Sequence, residues 1–138
     1  MRTINKIIVH CSATPQFKEF SASHIKDWHV NGNGWSDIGY HYVVKLDGTI
    51  EVGRLLKTIG AHSKGNNKDS IGVCYIGGKD TFMEEWVDTR TKEQKESLII
   101  LLKYLKKVFS NAEIFGHRDF SEKLCPSFNA KKEYKNLT

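Results

Sequence analysis

Apolar positions along this chain fall into several short dense runs and one long periodic run, and the two patterns predict different elements. Residues 4–10 are rich in Ile and Val and are closed by Ser12, Thr14 and Pro15, which reads as a short, largely buried strand with His10 at its end. The stretch SASHIKDWHVNGNG offers Ser21 or Ser23 as an N-cap, Ile25, Trp28 and His29 at helical spacing, and Gly32 as a stop, so a short helix is predicted there. Two β-prone runs flank Asp47-Gly48 within residues 39–54, a hairpin signal because glycine accepts the positive φ of such turns; Tyr40 begins this hairpin. Residues 71–76 are apolar throughout, as expected of a central strand covered on both faces. The polar text GAHSKGNNKDS before it reads as a loop.

The long periodic run begins at Thr91, where TKEQ forms a capping box, and carries Leu98, Leu101, Leu102, Leu105 and Val108 on one face of a helix. A short strand at 113–115 leads into a loop through Pro126, and residues 129–134 add a turn of helix. Strands alternating with helices predict an α/β fold, a central mixed sheet flanked by helices, with functional side chains at strand ends and in loops. At 138 residues the chain is expected to form one domain over 1–138. No internal repeat or linker is visible.

Composition narrows the function classes without naming one. Hydrophobic residues make up 39% and charged residues 27%, which argues against disorder and fibrous repeats. No run reaches the length of a membrane span, and the start MRTINKIIVHCS is too short in its apolar part for a signal peptide. Synthesis in the cytoplasm without a membrane anchor is the expectation. The three cysteines, Cys11, Cys74 and Cys125, cannot form a complete disulfide framework. The net charge of +5 is compatible with an anionic partner, but it is spread along the chain, so nucleic-acid binding is not expected.

The chemistry is carried by His10 at a strand end and by His117 and Cys125 on one loop. Two imidazoles and one thiolate suit zinc, and three protein ligands leave the open position of a catalytic rather than a structural site. The spacing of His117 and Cys125 matches no short zinc-finger pattern, so by itself it does not settle the matter.

The blocks IIVHCSAT, GYHYVVKLDGTIEVGR, GAHSKGNNKDSIGVCYIGG and HRDFSEKLCPSF, in that order and spacing, resemble the phage lysozyme-type N-acetylmuramoyl-L-alanine amidases, whose fold is related to the peptidoglycan recognition proteins. The likeness covers nearly the whole chain. It implies a peptidoglycan recognition protein-like fold and one Zn2+ per chain held by His10, His117 and Cys125, with Tyr40 and Lys123 as catalytic side chains. It further implies hydrolysis of the amide between N-acetylmuramic acid and L-alanine of the stem peptide, by a monomeric endolysin that reaches the cell wall after release. His62 matches a position facing the groove in that family and is expected to contact substrate. Asn66, Asn67 and Trp35 are further candidate contacts for the muramyl-peptide.

Other side chains have plainer readings. His24, His29 and His41 match no family ligand and are expected to be structural or exposed, with His41 pointing away from the face Tyr40 uses; Cys11 and Cys74 are expected to be unligated thiols. Two rival functions compete. A non-catalytic peptidoglycan-binding module would have the fold without the ligands, and the retained Cys125 argues against it. A glycosidase would need two carboxylates across one cleft, and no such pair stands out.

Overall fold

The computed structural model describes residues 2–138. Five strands form the main sheet: β1 (Lys6–Cys11), β3 (Tyr42–Val44), β4 (Ile50–Val52), β5 (Ser70–Tyr75) and β7 (Glu113–Gly116), in the order β4-β3-β5-β1-β7. Pairings β1–β5, β1–β7 and β3–β5 are parallel and β3–β4 is antiparallel, so the mixed sheet expected from the alternation of elements is what forms. Two two-residue strands, β2 (Thr14–Pro15) and β6 (Gly78–Lys79), pair separately. They are too short to leave a periodic signal and were not foreseen.

The central strands β1 and β5 are covered on both faces, as their unbroken apolar runs require. One face carries Ile7, Val9, Cys11, Ile71, Val73 and Tyr75. It packs against Leu98, Leu101, Leu102 and Leu105 of α2 (Lys92–Val108). The opposite face carries Val43, Cys74 and Ile76 and packs against Ile25 of α1 (Ala22–Asp27) and Ile38. Since side chains alternate along a strand, His10 lies between Val9 and Cys11 on the α1 face. The sheet therefore separates His10 from the long helix.

Both helix starts are capped as read. The Ser21 hydroxyl accepts from the His24 amide, and the Thr91 hydroxyl accepts from the Gln94 amide at 3.0 Å while Gln94 Oε1 accepts from the Thr91 amide at 2.9 Å. α1 does not stop at once but widens into a π turn over Trp28–Gly32. At the β3–β4 turn Gly48 adopts φ +87°, and a Cβ there would meet Glu93 and Ser97 of α2 within about 3 Å, so glycine is required by both backbone and packing. Tyr40 sits just outside β3, so the regular strands are shorter than residues 39–54, but its carbonyl still accepts from the Arg54 amide at 2.9 Å and the pairing reaches both ends of that stretch. The tail folds as α3 (Ala130–Glu133), capped by Asn129.

Candidate active site

His10 is almost wholly buried at the C-terminal part of β1. Parallel pairing brings Val9 level with Gly116, the last residue of β7, so the next residue, His117, starts its own turn of 3-10 helix beside His10. The two rings are 4.6 Å apart between centroids. The chain then loops back, and the Arg118 amide donates to the Cys125 carbonyl at 2.6 Å, which returns Cys125 to the end of β1. There the Cys11 amide donates to Cys125 Sγ at 3.1 Å. One donor atom from each of His10, His117 and Cys125 lies within 4.8 Å of the others. A tetrahedral zinc needs donors roughly 3.3–3.6 Å apart, so small side-chain rotations close the set on one ion.

The electrostatics favour neutral imidazoles. Burial, then His62 and His117, hold His10 well below the ordinary histidine range, and burial followed by the Lys123 charge lowers His117. The Cys11 thiol beside it and then burial push the Cys125 thiol well up in the bare protein. A cation among these groups would reverse that tendency, since a ligating thiol is deprotonated outright. The donor set thus fits a divalent, borderline-soft metal such as zinc.

Above these residues lies a cleft of about 510 Å³ lined by Trp35, Tyr40, His62, Asn67, His117 and Lys123, among others. Tyr40 approaches His10 at 5.1 Å between ring centroids, and burial, then the thiols of Cys74, Cys125 and Cys11, raise its phenol well above 10, so it remains a proton donor at neutral pH. Lys123 is exposed on the loop between His117 and Cys125. A second cavity of about 500 Å³, lined by Lys106, Tyr134 and Lys135, contains neither histidine nor thiol.

Not every candidate stands where expected. Asn66 is outside the cleft wall: its amide donates to the Ser63 carbonyl at 2.9 Å and its Nδ2 to the Lys64 carbonyl at 3.3 Å. Asn67 lines the cleft, but its Oδ1 is used by the His62 and Ser63 amides, both at 2.9 Å, so it shapes the loop. His62 points inward: its Nδ1 is 2.8 Å from His10 Nε2 and its Nε2 is 3.2 Å from Ser70 Oγ. Its ring lies over Gly72, where a Cβ would come within 2.6 Å of it, so only glycine leaves room. Burial, then His41, His117 and two arginines, press His62 down to about 3.

His29, expected to be structural or exposed, forms cleft wall: its Nδ1 accepts from the Gly39 amide at 2.9 Å and its ring packs at a tilt against Trp35. His41 is fully buried, with Nδ1 accepting from the Gly72 amide at 3.0 Å. Cys11 faces α2, away from His10, yet it touches Cys125. Ser70 was missed. It closes the GAHSKGNNKDS loop in sequence, and nothing in its polar surroundings marks one serine as the partner of His62.

Known proteins resemble this chain over nearly its whole length. A family profile described as N-acetylmuramoyl-L-alanine amidase matches residues 1–128. The endolysin of Klebsiella phage KP32 is 39% identical over 128 residues, spanning 93% of this chain and 83% of that protein. The endolysin of Escherichia phage T7 is 40% identical over 126 residues, spanning 91% and 82%. Among solved structures, the endolysin amidase LysCS from Clostridium intestinale URNW superposes with a TM-score of 0.80 at 30% identity, covering 99% of this chain and 86% of that one. Drosophila PGRP-LB superposes with a TM-score of 0.78 at 25% identity, covering 99% and 82%. The chain belongs to the N-acetylmuramoyl-L-alanine amidase family, the hydrolases that open the amide between N-acetylmuramic acid and the L-alanine of the peptidoglycan stem peptide.

Proposed function

We propose that this amidase is a zinc enzyme of the endolysin type, in which His10, His117 and Cys125 hold one Zn2+ and Tyr40 and Lys123 act on the scissile amide. The observation that carries the reading is the convergence of two neutral imidazoles and a thiol beneath a cleft walled by Tyr40 and Lys123. Bound there, zinc supplies a water acidified to a pKa of about 7 and polarises the carbonyl under attack.

The remaining work falls to the protein's own groups. Negative charge grows on the lactyl carbonyl oxygen as the amide is attacked, and the Lys123 ammonium, exposed on the cleft wall, is suited to meet it. The Tyr40 phenol, kept protonated by its burial, donates a hydrogen bond into the same space. Trp35 offers a flat apolar wall for a sugar or stem peptide. The substrate is insoluble wall polymer, so the enzyme works on the wall after release from the cytoplasm in which it is made.

The test is mass spectrometry of digested peptidoglycan together with metal analysis. Free stem peptides, one zinc per chain, inactivation by a chelator and recovery on adding zinc are expected. New reducing sugar ends without freed peptide would mean a glycosidase. Wall binding without any product would mean a recognition module, and activity indifferent to chelation would refute the zinc reading. In the same assay Lys123→Ala should keep its zinc and lose roughly 100- to 1,000-fold in kcat, the effect of removing one oxyanion donor. A Lys123→Ala enzyme of full activity would remove the lysine from the mechanism.

A further inference from the structure

The inward turn of His62 leads to a different role from the substrate contact expected of it. Both of its ring nitrogens are engaged, Nδ1 with His10 Nε2 at 2.8 Å and Nε2 with Ser70 Oγ at 3.2 Å. The His10 and His62 rings meet edge to face, at 4.9 Å and 88°. Three features hold the ring in place. Asn67 Oδ1 accepts from the His62 amide, Gly72 leaves the space beneath the ring, and Ser70 is fully buried at the far end.

Such a chain has two proton arrangements, and only one suits a metal. If His10 Nε2–H donates to His62 Nδ1 and His62 Nε2–H donates to Ser70 Oγ, then His10 Nδ1 carries a lone pair. If every bond runs the other way, His10 Nδ1 is protonated and cannot ligate. A serine oxygen at the end of the chain can accept, so the competent arrangement is available without any charged group.

We infer that His62, backed by Ser70, is a positioning residue that orients His10 and fixes its tautomer with the Nδ1 lone pair free for the metal. The inference rests on the zinc reading above. It explains why a histidine is placed against a ligand of the same type: neutral imidazole can accept at one nitrogen while donating at the other, which neither lysine nor a carboxylate can do.

The experiment measures Zn2+ affinity by competition with a chromophoric chelator, and the absorption spectrum of the Co2+-loaded protein. His62→Phe keeps a ring over Gly72 but loses the acceptor, and should weaken zinc binding about 10- to 100-fold, the usual effect of removing a hydrogen-bond partner of a metal ligand. His62→Asn places a carbonyl oxygen near the former Nδ1 and should restore most of the affinity. The cobalt bands should shift in His62→Phe and return in His62→Asn. If His62→Phe binds zinc as tightly as wild type and only KM rises, His62 touches substrate and the inference is wrong. Should His62→Phe fail to fold, Ser70→Ala decides: weaker zinc supports the inference and unchanged zinc overturns it. Wild-type protein that bound no zinc at all would instead sink the proposed function itself.

Discussion

Replacing His117 with alanine is expected to abolish zinc retention and hydrolysis together while leaving the fold intact. Its ring is only partly buried and belongs to neither apolar cluster, so its removal opens no cavity in the core. The loss falls on the donor set, where His10 and Cys125 alone are too few for a catalytic zinc site. Deleting a ligand should cost more than the roughly 10- to 100-fold loss of affinity caused by deleting a ligand's hydrogen-bond partner. Metal content after dialysis, a thermal melt and the release of stem peptide check this together. A His117→Ala protein that kept one zinc per chain would move the metal site elsewhere.

Arg90→Ala should produce the largest loss of stability, about 3 kcal/mol, in a denaturant titration. The guanidinium is buried between two forks: Nε and Nη2 donate to Asp88 at 2.9 and 2.8 Å, and Nη1 and Nη2 donate to Glu133 at 2.7 and 3.0 Å. Nη1 also donates to Tyr134 Oη at 2.9 Å, and the group stacks 3.4 Å from the Phe128 ring centroid. Breaking a buried pair usually costs about 3–5 kcal/mol; the low end applies because both carboxylates retain some exposure and recover water. Asp88 is lowered although burial opposes it, through its bonds to Arg90, and Glu133 is lowered by Arg90 foremost. Their stabilisation is present above the unfolded pKa values near 4 and is lost as pH falls through the lower folded ones. Wild type should therefore lose stability with acid more steeply than Arg90→Ala. Equal acid profiles would show that the forks contribute nothing.

The sequence carried the fold where it was periodic or capped. The run from Leu98 to Leu105 named its own buried face, and Ser21 and Thr91 marked helix starts, because those signals are local. β2 and β6 were invisible because two-residue strands depend on partners more than sixty residues away. The cleft was legible only by resemblance: His10, Tyr40 and the loop that carries His117, Lys123 and Cys125 are three separated segments, and spacing does not say that they meet. His62 and Asn67 line the cleft as expected, but their polar atoms are turned to His10, Ser70 and the loop backbone, and Asn66 lies outside the wall. Which amide faces solvent and which accepts from the backbone is decided by the path of residues 60–70, which no pattern of polar residues specifies.

The order of the sheet carries one more consequence. β7 is an outermost strand, paired within the sheet to β1 alone, and His117 follows directly upon it while His10 belongs to β1 itself. The two imidazoles are thus companions only for as long as that margin stays zipped. A chain whose border strand had peeled away would keep every proposed ligand and lose the site, so retention of the proposed zinc would report on the integrity of the sheet's edge.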